Sequence, residues 1–136
     1  MRAMRFIPLM GIVLLIYNLV ALAFKDSETS IWEKQFTSIS VSPENVVIIT
    51  YGTAFIIFAL MLLFIELVKS TTSSNSAMVE QLFSTLAFVG FLLQFLLTPY
   101  AAEATFFLLM VISLVEVLAG FVIMIKVARR DIGISK

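Results

Sequence analysis

One acidic residue, Glu116, lies near the middle of an otherwise apolar stretch that covers residues 105–125. A helix of this length, at about 1.5 Å rise per residue, crosses the hydrocarbon core of a bilayer and places Glu116 near the midplane. A carboxyl group at that depth costs about 2.5 kcal/mol or more unless it faces protein or water, so Glu116 is a candidate functional residue. Burial favours the neutral acid, because no Lys or Arg lies at its depth. We predict a buried polar cluster of four residues from three helices: Glu116, Ser113, Asn18 and Gln94.

The chain has neither Cys nor His, which limits the chemistry that its side chains can perform. Disulfides, thiol catalysis and iron–sulfur ligation are excluded, and the usual haem ligand, zinc ligand and general base are missing. Nine basic and nine acidic residues cancel, so the chain lacks the basic surface that binds nucleic acid. We predict no catalytic residue, no metal site and no cofactor, and we expect a protein that is not an enzyme.

The composition is that of an integral membrane protein, with 61% hydrophobic residues, 13% charged residues and a mean hydropathy of +1.09. The predicted fold is an all-α, antiparallel bundle of four transmembrane helices that forms a single membrane domain over residues 1–136. The first apolar run is longer than the core of a secretory signal peptide, so we expect it to be an anchor. The predicted helices cover residues 6–24, 46–68, 78–98 and 105–126, and residues 25–45 form an external loop.

The loop of residues 25–45 contains apolar side chains among polar ones. Their spacing of three to four residues predicts a short amphipathic helix at the level of the lipid headgroups. We expect Trp32 and Phe36 in this loop to cover the end of the bundle or the edge of the bilayer, and a ligand-binding role is the less favoured interpretation. The residues that carry the pattern are Ile31, Trp32, Phe36 and Ile39.

The second predicted helix has signals at both ends. Ser42 fits an N-cap, Pro43 fits the first helical position and Glu44 lies near the positive end of the helix. At the far end, Glu66 and Lys69 are expected at the opposite membrane interface, where their side chains can extend toward water.

The distribution of basic residues predicts the orientation. One side of the predicted bundle carries seven Lys and Arg residues and the other side carries two. The positive-inside rule then places both termini in the cytoplasm, the loop of residues 25–45 outside, and the chain in the plasma (inner) membrane as a multi-pass protein. The two residues on the external side are Lys25 and Lys34. The seven are Arg2, Arg5, Lys69, Lys126, Arg129, Arg130 and Lys136.

Small and polar residues recur on one face of each predicted helix. Helices in a membrane associate by close backbone approach and by interhelical hydrogen bonds, so such residues mark the contact faces. A repeat near 3.5 residues further predicts left-handed crossings of about 20 degrees. The residues predicted at helix contacts are Gly11, Gly52, Ala59, Ser84, Ala87 and Gly120.

Two functions fit these features. The favoured one is a small accessory, assembly or sensor subunit, whose partners are the lipid bilayer and either further copies of itself or a larger membrane complex. In that role the polar cluster around Glu116 fixes the packing of the helices. The alternative is a proton-coupled small transporter or a small ion channel that uses Glu116 as its titratable group within the membrane.

Overall fold

The computed structural model describes residues 7–70 and 77–134 of the chain. The described helices and strands, in chain order, are α1 (Leu9–Ala23), β1 (Gln35–Ser42), β2 (Asn45–Thr50), α2 (Tyr51–Ser70), α3 (Ala77–Leu97) and α4 (Ala104–Ile134). A 3-10 turn at Ile31–Glu33 precedes β1, and a second one at Pro99–Ala101 precedes α4.

Three of the helices are long and apolar enough to cross a membrane, which confirms the prediction of a mostly helical, membrane-spanning protein. These candidate spans are Tyr51–Lys69, Met78–Leu97 and Ala104–Arg129. The apolar helix α1 is shorter, with 15 residues. Its predicted start at residue 6 lies outside the described residues. Many large apolar side chains on the helices are exposed, as expected for surfaces that face lipid.

Residues 35–50 form an antiparallel β-hairpin, which corrects the all-α prediction. The amphipathic helix predicted in the loop of residues 25–45 is wrong, since this segment consists of a 3-10 turn followed by β1. The predicted start of the second helix at residue 46 is also wrong, because residues 45–50 form β2 and α2 begins at Tyr51.

The side chains of the hairpin explain this difference. Residues 46–50 are all Val, Ile or Thr, whose branching at Cβ restricts their rotamers in a helix and favours a strand. Ser42 and Pro43 begin a tight turn, in which Pro is favoured at the second position, and Asn45 Nδ2 donates to Ser42 Oγ at 3.0 Å. The Ser-Pro-Glu sequence that resembles a helix N-cap therefore belongs to the turn between β1 and β2.

Helix α4 packs against both α2 and α3, and α1 packs against α2 and α3. We name the two ends of the molecule by their connections. The hairpin end carries the β-hairpin, the turn at Pro99–Ala101 and the start of α4. The tail end is where α2 ends and α3 begins.

Aromatic side chains form the core near the hairpin end. The rings of Tyr17 and Trp32 stack with centroids 4.8 Å apart, and the rings of Trp32 and Phe55 stack with centroids 5.1 Å apart. Phe106 meets Tyr17 edge to face at 4.9 Å, a favoured geometry for aromatic pairs. This packing joins α1, α2, α4 and the 3-10 turn at Ile31–Glu33. Buried polar side chains lie between the helices, farther from the hairpin end.

Candidate intramembrane polar site

The carboxyl groups of two acidic residues lie close together between the helices. Glu116 of α4 is buried, with 3% of its surface exposed, and it accepts a hydrogen bond from Ser84 Oγ of α3 at 3.3 Å. The carboxyl group of Glu66, on α2, lies within hydrogen-bonding range of the Glu116 carboxyl group. The backbone N–H of Leu9, at the start of α1, donates to Glu66 Oε1 at 3.4 Å. All four helices therefore contribute to the surroundings of Glu66 and Glu116, which we name the carboxyl pair.

Gln81 closes one side of this site. Its Nε2 donates to the backbone carbonyl oxygen of Val117 at 2.9 Å, which ties α3 to α4. Its side-chain oxygen occupies the space that a β-carbon on Gly120 would need. A cavity of about 30 Å³ lies beside these groups and has room for a water molecule. The polar residues and the glycine that line it are Glu66, Glu80, Gln81, Ser84, Glu116 and Gly120.

Two buried side-chain oxygen atoms of α4 lack a hydrogen-bond partner among the described residues. They are Glu116 Oε2 and the hydroxyl oxygen of Ser113, a side chain with no exposed surface. Within residues 7–70 and 77–134, no group of three or more acidic, His or Cys side chains is placed to hold a metal ion. The polar side chains that line the cavity supply three carboxyl groups, one hydroxyl and one amide, which can donate, accept and exchange protons.

A second polar group lies nearer the hairpin end. Asn18 of α1 and Gln94 of α3 bond through both halves of their amides: Asn18 Nδ2 donates to Gln94 Oε1 at 2.9 Å, and Gln94 Nε2 donates to Asn18 Oδ1. The hydroxyl of Tyr100, in the turn before α4, also donates to Asn18 Oδ1, at 2.6 Å. This reciprocal contact fixes α1 against α3.

The hydrogen bonds thus divide the residues of the predicted polar cluster into two groups. Asn18 bonds to Gln94, whereas Glu116 bonds to Ser84 and faces Glu66. On α3, Ser84 and Gln94 are ten residues apart, which corresponds to about 15 Å along the helix. A glutamate side chain does not reach across that distance, so the two groups are separate sites.

The start of α4 is fixed by Glu103. This side chain accepts hydrogen bonds from the backbone N–H groups of Thr105 at 2.9 Å and Phe106 at 2.8 Å, and so acts as an N-cap. It also accepts a hydrogen bond from the hydroxyl of Tyr17 at 2.6 Å. The carboxylate therefore joins α1 to the positive end of α4.

The two aromatic residues predicted in the external loop have different surroundings. Trp32 is buried, with 6% of its surface exposed, and covers the aromatic core between Tyr17 and Phe55. Phe36 lies on β1 with 58% of its surface exposed, and its ring packs beside Tyr51 at 5.3 Å. Only Trp32 is part of the core, and Phe36 belongs to the surface of the hairpin.

Four of the residues predicted at helix contacts lie at close approaches. Ala59 and Ser84 are buried. Gly52 and Gly120 lie where neighbouring groups occupy the space of a β-carbon, from Trp32 in the first case and from Gln81 in the second. The other two predicted residues, Gly11 and Ala87, are half-buried.

Glu66 and Gln81 were not included in the predicted polar cluster. A signal for Glu66 was present, because it follows Gly52 and Ala59 at intervals of seven residues and so shares their helix face. Gln81 lies three residues before Ser84, which places it on the same face of α3.

Comparison of the chain with protein-family models, with curated proteins and with solved structures finds no match. Function must therefore be inferred from the geometry of the chain's own residues.

Proposed function

We propose that this protein is a small accessory or assembly subunit that forms a homo-oligomer or joins a larger membrane complex through its β-hairpin. In this proposal the helices form a four-span bundle with both termini in the cytoplasm, and the hairpin lies outside. The observation that supports the proposal is the apolar, exposed surface of the hairpin.

Both faces of the hairpin carry exposed apolar side chains. On one face Ile39 pairs with Val47, and their surfaces are 54% and 49% exposed. On the other face Val46 and Ile48 are 56% and 59% exposed, opposite serines of β1. Apolar residues on both faces of a surface hairpin are typical of a contact surface rather than of a solvated loop.

The hairpin also has two unpaired edges, since the described sheet has only two strands. A two-stranded hairpin is marginally stable in water unless it packs against other structure, and an exposed strand edge can bind a further strand. Within the described residues the hairpin rests on α2. A partner subunit or a second copy that covers its apolar face would stabilise it and would give it a function.

Replacing Ile39 and Val47 together by Thr tests this proposal, because Thr keeps β-branching and removes apolar contact area. If each change removes about 1 kcal/mol of contact, association weakens by roughly 30-fold. The matched control replaces Leu96 and Leu97 by Thr, two exposed residues of α3 at the same end of the molecule.

Native mass spectrometry of protein taken from membranes in mild detergent provides the measurement. We expect an assembly for the wild type and for the control, and dissociation for the hairpin variant. A wild-type protein that is monomeric and partner-free contradicts the proposal. Full assembly of the hairpin variant also contradicts it and favours a hairpin that rests on lipid.

A proton-coupled transporter or small channel is a second candidate function, and the observation that favours it is the carboxyl pair beside a cavity. Replacing Glu116 by Gln keeps the size of the side chain and removes its titration. Intact assembly with lost biological activity supports this candidate. Intact assembly with full activity contradicts it and leaves Glu116 as a structural hydrogen-bonding group.

A further inference from the structure

The carboxyl pair joins two helices that are distant in sequence. Glu66 lies in the candidate span of α2 and Glu116 lies in that of α4. Both side chains line the same cavity, and their carboxyl groups are within hydrogen-bonding range. Two ionised carboxylates at this separation repel each other, and the repulsion is stronger in a medium of low dielectric constant than in water. One proton held between them removes this repulsion and supplies the donor for a hydrogen bond.

A buried oxygen atom of Glu116 provides a second observation in favour of a proton at this site. Glu116 Oε2 receives no hydrogen bond from any donor within the described parts of the chain, although Ser84 satisfies Oε1 of the same carboxyl group. Glu116 is 3% exposed and lines the cavity of about 30 Å³. A buried polar atom without a partner is uncommon in proteins, and a proton on either acid would give Oε2 a role as donor or acceptor.

The groups that face the pair come from every helix packed around it. Helix α1 presents the backbone N–H of Leu9, and α3 presents the Ser84 hydroxyl and, along the cavity, the carboxyl group of Glu80. The cavity beside the pair can hold the water molecule with which a proton on the pair exchanges.

We propose that Glu66 and Glu116 together bind one exchangeable proton inside the membrane domain. This site does not depend on the assembly role of the hairpin.

Infrared spectroscopy of the purified protein in lipid vesicles tests the proposal. The chain has nine acidic side chains, and those exposed to water are ionised at neutral pH. We expect one carbonyl band of a protonated carboxylic acid at pH 7, with a frequency that moves on exchange into D₂O. The absence of this band from the wild-type protein at pH 7 would overturn the proposal without any variant.

Three variants assign the band. Glu116→Gln and Glu66→Gln should each remove or shift it, because each breaks the shared site. Glu44→Gln is the matched control, because Glu44 is exposed in the turn of the hairpin, and it should leave the band unchanged. A band that persists unshifted in Glu66→Gln would show that the acid is not shared, and this result would also overturn the proposal.

Two further measurements complete the test. The first distinguishes a bound proton from a bound metal cation, and the second separates the proton-binding proposal from the assembly proposal. Replacing choline by Na⁺ at constant ionic strength should leave the band unchanged, and its loss would show that a metal cation, rather than a proton, is the ligand. The Ile39→Thr, Val47→Thr variant should keep the band even when it no longer assembles. Failure of the assembly proposal and failure of the proton site are therefore distinguishable.

Discussion

Substitution of Gly52 by Ala tests the contact that joins α2, α4 and the 3-10 turn before β1. A β-carbon at this position would lie 2.5 Å from Thr105 Oγ1, 2.8 Å from the backbone carbonyl oxygen of Trp32 and 3.3 Å from Trp32 Cβ. The Thr105 side chain can rotate away. The Trp32 carbonyl can move only with the turn that holds the Trp32 ring against Tyr17.

Gly90→Ala is the matched control, because a β-carbon there would lie 3.4 Å from Leu14 Cδ2, which is an ordinary van der Waals distance. Replacing a helical Gly by Ala favours the helix by about 1 kcal/mol, and this gain applies to both variants. Overpacking at Gly52 costs about 1–3 kcal/mol. The gain cancels between the two variants, so Gly52→Ala should be less stable than Gly90→Ala by about 1–3 kcal/mol.

Unfolding of the purified protein in mixed micelles by increasing amounts of a denaturing detergent provides the assay. The chain has a single Trp, so the fluorescence of Trp32 reports directly on the packing at this contact. We expect a lower unfolding midpoint for Gly52→Ala than for the wild type, and a midpoint for Gly90→Ala that is equal or higher. If Gly52→Ala is as stable as Gly90→Ala, the close approach of α2 to the Trp32 turn is refuted.

Two further predictions concern the amide pair and the orientation. In a double-mutant cycle with Asn18→Leu and Gln94→Leu, the two effects on the free energy of unfolding should be coupled by about 0.6 kcal/mol, the average for interhelical hydrogen bonds; strict additivity would contradict the contact. In intact cells, an impermeant thiol reagent should modify Ser30→Cys but not Ser74→Cys, whose position lies outside the described residues. The reverse labelling would show that both termini are external.

The sequence predicts a helix correctly when one local property, such as a proline or the length of an apolar stretch, decides the structure. The apolar stretch that becomes α3 is followed by Pro99, which cannot continue a helix with normal hydrogen bonding, and α3 ends at Leu97. Likewise, the apolar stretch around Glu116 is long enough to span a bilayer, and it lies within α4.

The hairpin was not predicted, because hydropathy does not distinguish a short apolar strand from the first turns of an apolar helix. Residues 46–50 are continuous with the apolar residues of α2, so they extend the hydrophobic stretch without a visible break. Only their β-branching and the Ser-Pro turn before them favour a strand, and these are weaker signals than hydropathy.

This error also explains why Glu66 was assigned to the membrane interface. In a helix that starts at residue 46, Glu66 lies twenty residues, or about 30 Å, from the hairpin end, which is the full thickness of the hydrocarbon core. In the structure α2 starts at Tyr51, so Glu66 lies fifteen residues, or about 22 Å, along it. Glu116 lies twelve residues, or about 18 Å, from Ala104 at the start of α4. The two acids thus lie at depths within about 4 Å of each other. Because the hairpin includes residues that hydropathy assigns to the helix, α2 starts later in the chain, and Glu66 lies beside Glu116.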